Sequence, residues 1–229
     1  MAIRDKINNV RKKFYNRVTD YKFARICTMT VLLLYLPLII IGVIIAALFG
    51  PDGYTIWTHW ISDLGGIQHT PAPYLYDLAA ITAGALTIPL TFYTEKLLAP
   101  MPQSTRECQY TSRLRLRLGS YAFFFSIIGN LGYIGVGIFS EDRNYFSLHN
   151  ITSSLAFGGF SLGAFFMGLL IVLYNTKIPK LIGIYGVFGP LITIIVFLYT
   201  GNPLWEWILL FSILIWVIPL ALTVFHKQE

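Results

Sequence analysis

The chain has 229 residues, of which 55% are hydrophobic and 12% charged, with a formal net charge of +6, and its mean hydropathy is +0.64. That balance excludes an ordinary soluble domain, where charged residues make up about 25%. The basic excess does not call for nucleic acid either, because the Lys and Arg lie beside long apolar runs, where they orient insertion and meet anionic lipid.

Residues 1–27 form a basic cytoplasmic segment. Within it Ile3, Ile7, Val10, Phe14, Val18 and Tyr21 recur every three or four positions with Lys and Arg between them. That period predicts an amphipathic helix over 3–23, lying on a membrane surface with its cations on anionic inner-leaflet headgroups. A transmembrane domain follows over 28–226, with spans at 28–49, 74–93, 119–139, 149–174, 181–200 and 206–226, then a tail at 227–229. Each span is close to the ~20 residues that cross a bilayer as a helix. The fold class is therefore all-α, a six-helix transmembrane bundle with an N-terminal interfacial helix. No cleavable signal peptide is expected, since the first apolar run is too long for one and lacks a small-residue cleavage pattern.

Every Lys and Arg except Arg143 falls before span one, between spans two and three, between four and five, or after six. The positive-inside rule then puts both termini in the cytoplasm, with a prokaryotic cytoplasmic membrane as the expected location. Cys27 and Cys108 map to that reducing side, so no structural disulfide is expected. Arg113-Leu114-Arg115-Leu116-Arg117-Leu118 reads as a snorkelling start to span three. Gly129, Gly132 and Gly135 on span three and Gly159 and Gly163 on span four predict close helix packing, with homo- or hetero-oligomerisation through the same spans as a second use. Pro37, Pro89, Pro190 and Pro219 fall inside spans, and Asn130 is an amide deep in one, where an interhelical hydrogen bond is expected. Asn150-Ile151-Thr152 matches a glycosylation pattern but abuts a span, so it is read as chance.

Polar chemistry gathers in the non-cytoplasmic loops. His59 and Asp63 are four apart and on a short helix would share a face; His149 heads span four. His59, Asp63 and His149, with His69 or Asp77 nearby, form a candidate zinc ligand set, although no other cofactor is predicted. Catalytic candidates are His149, Asp63 and Ser62; ligand-binding candidates are Asp63, Gly65, His149 and Asn150. Capping of helices and turns is the competing use of Asp63 and His149. Trp57, Trp60, Trp205 and Trp207 lie at the same level as an interfacial belt.

Ile61-Ser62-Asp63-Leu64-Gly65, and the stretch from Gly137-Ile138-Phe139 through His149-Asn150 to Ala156-Phe157-Gly158-Gly159, resemble segments of the DRAM/Frag/Sfk proteins and of the prokaryotic six-span proteins grouped as domain of unknown function 998. The resemblance implies a six-span fold and marks Ser62, Asp63, Gly65, His149 and Asn150 as a site. Eukaryotic members of the wider group are associated with lipid remodelling. The expected function is accordingly lipid handling or membrane organisation through an outer polar site, with membrane lipids as partners. The alternatives are a membrane-embedded hydrolase or acyl transferase using His149 and Asp63, and an accessory subunit of a membrane complex.

Overall fold

The computed structural model describes residues 2–100 and 112–226, all helix, turn or loop. Cys108, Arg106 and the tail from Lys227 lie outside the described residues. In chain order the helices are α1 (Ala2–Val18), α2 (Tyr21–Phe49), α3 (Tyr74–Leu98), α4 (Arg113–Ile138), α5 (Leu148–Leu173), α6 (Lys180–Thr200) and α7 (Pro203–His226). The last six are long and apolar enough to cross a membrane. Each packs against its neighbour in sequence, and α7 returns toward α2 and α5.

The amphipathic segment is shorter than its apolar period predicts: α1 stops at Val18 and Tyr21 opens α2. The break comes from Asp20, whose extended backbone and side chain cap α2 by accepting from Phe23 N at 2.9 Å. Ile7, Val10 and Phe14 stay exposed along α1, so its apolar stripe is largely uncovered by the rest of the described residues. Phe14 and Tyr15 meet the Phe92 ring of α3 edge-on, and Lys96 Nζ donates to the Thr19 carbonyl at 3.4 Å. The spanning helices also outrun the apolar runs. Helix α2 begins at its Asp20 cap, α3 continues to Leu98, and α4 starts at Arg113, where Ser112 accepts from Arg115 N. Backbone hydrogen bonding carries a helix past the last apolar residue wherever a cap satisfies its end.

Glycine decides how closely the central helices approach. A Cβ on Gly129 would sit 2.6 Å from Phe160 Cδ1, one on Gly132 2.5 Å from Ala156 N, and one on Gly135 2.5 Å from Thr152 Cγ2. The three contacts step along α4 and back along α5, so this antiparallel pair packs backbone to backbone within the chain. Gly159 and Gly163 complete the seam against Gly129 and Ser126. Next to it Asn130 accepts from Thr87 Oγ1 and donates to Thr91 Oγ1 at 3.0 Å, which ties α4 to α3. The hydroxyls of Tyr35 and Tyr133 bond across α2 and α4.

The two ends of the bundle differ in charge. The loops 50–73, 139–147 and 201–202 meet at an acidic end that carries Asp52, Asp63, Glu141 and Asp142, with Arg143 as its Lys/Arg residue. At the opposite, basic end cations satisfy helix termini. Lys180 Nζ donates to the carbonyls of Ile171, Val172 and Tyr174 at 2.5, 2.9 and 2.7 Å, and Arg115 Nε donates to Leu98 O at 2.8 Å.

Candidate functional site

The loop after α2 folds back into the bundle instead of standing in solvent. Ile61, Leu64 and Tyr54 are buried, and three bonds fix the loop: Tyr54 Oη donates to Trp60 O at 2.8 Å, Trp207 Nε1 to His59 O at 3.3 Å, and Ile61 N to Glu206 Oε2 at 2.7 Å. A 3-10 turn over Ser62–Gly65 follows, and Asp63 within it reaches back to accept from Trp60 N at 2.8 Å. Gly65 lies against α3, where a Cβ would sit 3.1 Å from Tyr76 Cδ1 and 3.2 Å from Asp77 Oδ1.

Because the turn begins only at Ser62, His59 does not share a helical face with Asp63. Its ring stacks on Tyr54 at 4.9 Å between centroids, and its Nε2 faces Asp52 Oδ2 at 3.2 Å. The same Asp52 oxygen accepts from His69 Nδ1 at 2.6 Å, and His69 Nε2 lies 4.0 Å from Asp63 Oδ1. A relay of polar groups thus runs from His59 through Asp52 and His69 to Asp63, and on to Glu141, whose carboxylate comes within 4.8 Å of Asp63. Two groups bring ligand atoms within 4.8 Å of one another among the described residues: Asp52 with His59 and His69, and Asp63 with His69 and Glu141. His149 belongs to neither.

The electrostatics of the relay follow from this crowding. Burial, the Asp63 charge and the Asp63 hydrogen bond together push Glu141 up to about 7. His69 is raised: burial opposes its charged form, but the Asp52 bond and the charges of Asp63, Asp52 and Glu141 outweigh it. Asp52 is lowered by its bond to His69, with His59 adding to the effect. Burial raises the Tyr54 phenol, and the charges of Asp63 and Glu206 add to the rise. Arg143 does not relieve these carboxylates, since it is held by Asp77 Oδ2 at 2.6 Å, Ser140 Oγ at 3.0 Å and Gly137 O at 3.2 Å.

Beside the relay a pocket of about 480 Å³ opens between α5, α6 and the start of α7. Ser62, Glu141, Asn144, His149, Asn150, Ser153, Ser154 and Glu206 supply its polar lining; Trp60, Phe157, Ile194, Phe197 and Leu198 make its apolar wall. Of the sequence candidates, Ser62, His149 and Asn150 reach the pocket, while Asp63 and Gly65 are buried behind it and His59 lies in the relay. His149 is aimed by its backbone. Phe146 and Ser147 take left-handed conformations (φ 53° and 59°), and Asn144 Oδ1 accepts from His149 N at 3.0 Å. Its ring Nδ1 donates to Phe139 O at 2.7 Å, which leaves Nε2 as the acceptor facing Ser153 Oγ at 3.4 Å.

Glu141, Glu206, Ser153 and Asp52 are the site residues that sequence reasoning missed. Ser153 had a readable signal, standing one helical turn after His149. Glu206 had one as well, an acid between two Trp at the head of an apolar run. Asp52 had none.

Six apolar helices and a polar pocket at one end of them define a multi-pass membrane protein. The chain belongs to the family described as protein of unknown function (DUF998), whose model matches residues 35–223. The match covers all six spanning helices in whole or part and both pocket-forming loops. No curated protein and no solved structure matches the chain.

Proposed function

We propose that this protein binds the headgroup of an amine-bearing membrane lipid in the acidic-end pocket and so organises lipid in the outer leaflet. One observation carries the reading: the pocket joins a carboxylate-rich lining to an apolar wall on α5 and α6, the division of surface that an amphiphile presents. Glu141 and Glu206 line the pocket with Asp63 close behind, while Arg143 is held by Asp77 and His69 is bonded to Asp52. A ligand ammonium supplies the missing counter-charge, with Trp60 and Phe197 offering aromatic faces beside it. The positive-inside pattern assigns this end to the non-cytoplasmic face, at headgroup depth.

The test is native mass spectrometry of detergent-purified protein offered equal amounts of phosphatidylethanolamine and phosphatidylglycerol. Wild type should retain the amine lipid in preference, and Glu141→Gln/Glu206→Gln should lose that preference. Equal retention of both lipids by wild type would overturn the reading.

A second reading, a lipid hydrolase or acyl transferase, is favoured by the Ser153–His149 pair inside the pocket. In it Ser153 Oγ attacks the ester carbonyl, His149 Nε2 takes the hydroxyl proton and returns it to the departing alkoxide, and the Phe139 carbonyl fixes the ring. Zinc would enter this reading at Asp63, His69 and Glu141, whose donor types suit it. Release of fatty acid by wild type and not by Ser153→Ala, or one equivalent of zinc lost in His69→Ala, would move the assignment from binding to catalysis.

A further inference from the structure

Deep in the bundle lies a second cavity, of about 130 Å³, walled by α2, α3, α4, α5 and α7. Its lining is mostly hydrocarbon: Asn130 is paired with Thr87 and Thr91 and Tyr35 with Tyr133, while the buried Trp216 Nε1 is left without a partner. An apolar cavity of about this size stays dry and takes an apolar guest. Two observations say which guest. First, Phe157 lines both this cavity and the acidic-end pocket, and on α7 the pocket residue Glu206 stands one turn from the cavity residue Leu210. The two spaces are therefore neighbours that share Phe157 in their walls. Second, Leu32 and Leu36 of α2 and Leu214 and Val217 of α7 line the cavity yet are only half-buried, and these two helices touch at few points. The cavity opens sideways at the depth of lipid tails.

We infer that the cavity takes a short length of one hydrocarbon chain of the lipid whose headgroup occupies the pocket, with Phe157 between the two spaces. The inference rests on the proposed headgroup site and adds a chain-length selection to it. A cavity of this volume takes a guest of about benzene's size, so it holds a short length of one chain and no part of a second. A diacyl lipid would keep its other chain along the outer face of α6, where Leu198 and Ile195 are exposed.

The experiment offers purified protein a chain-length series of lysophosphatidylethanolamine and, in parallel, of lysophosphatidylglycerol, with native mass spectrometry as the readout. Ala83→Leu fills the cavity from α3 and leaves the pocket untouched; it should cut retention of the longer chains at least tenfold and spare the shortest. Leu214→Ala widens the mouth from α7 and should shift the preference toward longer chains, and it decides the matter if Ala83→Leu does not fold. A wild-type chain-length profile in the folded variants would overturn the inference. The headgroup reading fails separately, through equal retention of the two lysolipid classes, whatever the chain profile does.

Discussion

The basic and acidic ends of this bundle use charge in opposite ways. At the basic end cations are matched to backbone: Lys180 takes three carbonyls at the end of α5, and Arg115 takes the Leu98 carbonyl at the end of α3. Such contacts stabilise helix termini and ask for nothing further. At the acidic end Asp63 raises the proton affinity of Glu141, Glu206 lines the same pocket, and Arg143 is held elsewhere. Folding alone does not favour that arrangement, since like charges in a half-buried site oppose it. The difference separates an end whose cations are matched to backbone carbonyls from an end whose carboxylates crowd one another.

The largest break in the comparison should come at Glu206. Glu206→Ala leaves the buried Ile61 N–H without its acceptor and should lower stability by about 2 kcal/mol. Glu206→Gln keeps an acceptor oxygen and removes a crowded carboxylate, so it should unfold no earlier than wild type in a detergent thermal melt. Equal losses in the two variants would show that the carboxylate charge itself supports the fold. At the other end Lys180→Met should cost about 1 kcal/mol, reduced from the usual charged-bond value because Lys180 is exposed. That loss should appear in the same melt with no change in lipid retention.

The third effect is a pH dependence. Glu141 is raised in the folded state, so its contribution is fully present below the ordinary carboxylate value of 4.5 and is lost as pH rises through about 7. Melting temperature should therefore fall between about pH 5 and pH 8, and Glu141→Gln should flatten that fall. Amine-lipid retention should run the other way, strengthening as Glu141 loses its proton. A profile unchanged by Glu141→Gln would place the titration on another group.

The six spans were legible because bilayer crossing demands a long apolar run, a signal that no loop geometry can hide. The α4–α5 seam was legible too, as its glycines repeat at helical spacing, and Asn130 announced an interhelical bond by being an amide in an apolar run. Helix ends were less so: hydropathy registers the apolar stretch, whereas Asp20 and Ser112 decide where α2 and α4 begin. The site was legible in composition and not in pairing. Asp63 and Glu141 belong to different loops, and nothing along the chain says that they meet. The partner of His59 was hidden for a related reason. A spacing of four is informative only on a helix, and the chain around His59 turns instead, toward Asp52.

Phe146 and Ser147 stand left-handed in succession, and Phe146 is 94% exposed. That conformation costs an L-residue roughly 1–2 kcal/mol, which Gly would avoid and Asn would lessen. The corner thus carries an aromatic residue that neither the backbone nor the core requires, and a glycine at that point would relieve the strain while leaving the packing of the interior as it is. The exposed phenyl ring, three residues before His149, adds apolar surface to the acidic end without adding to the core.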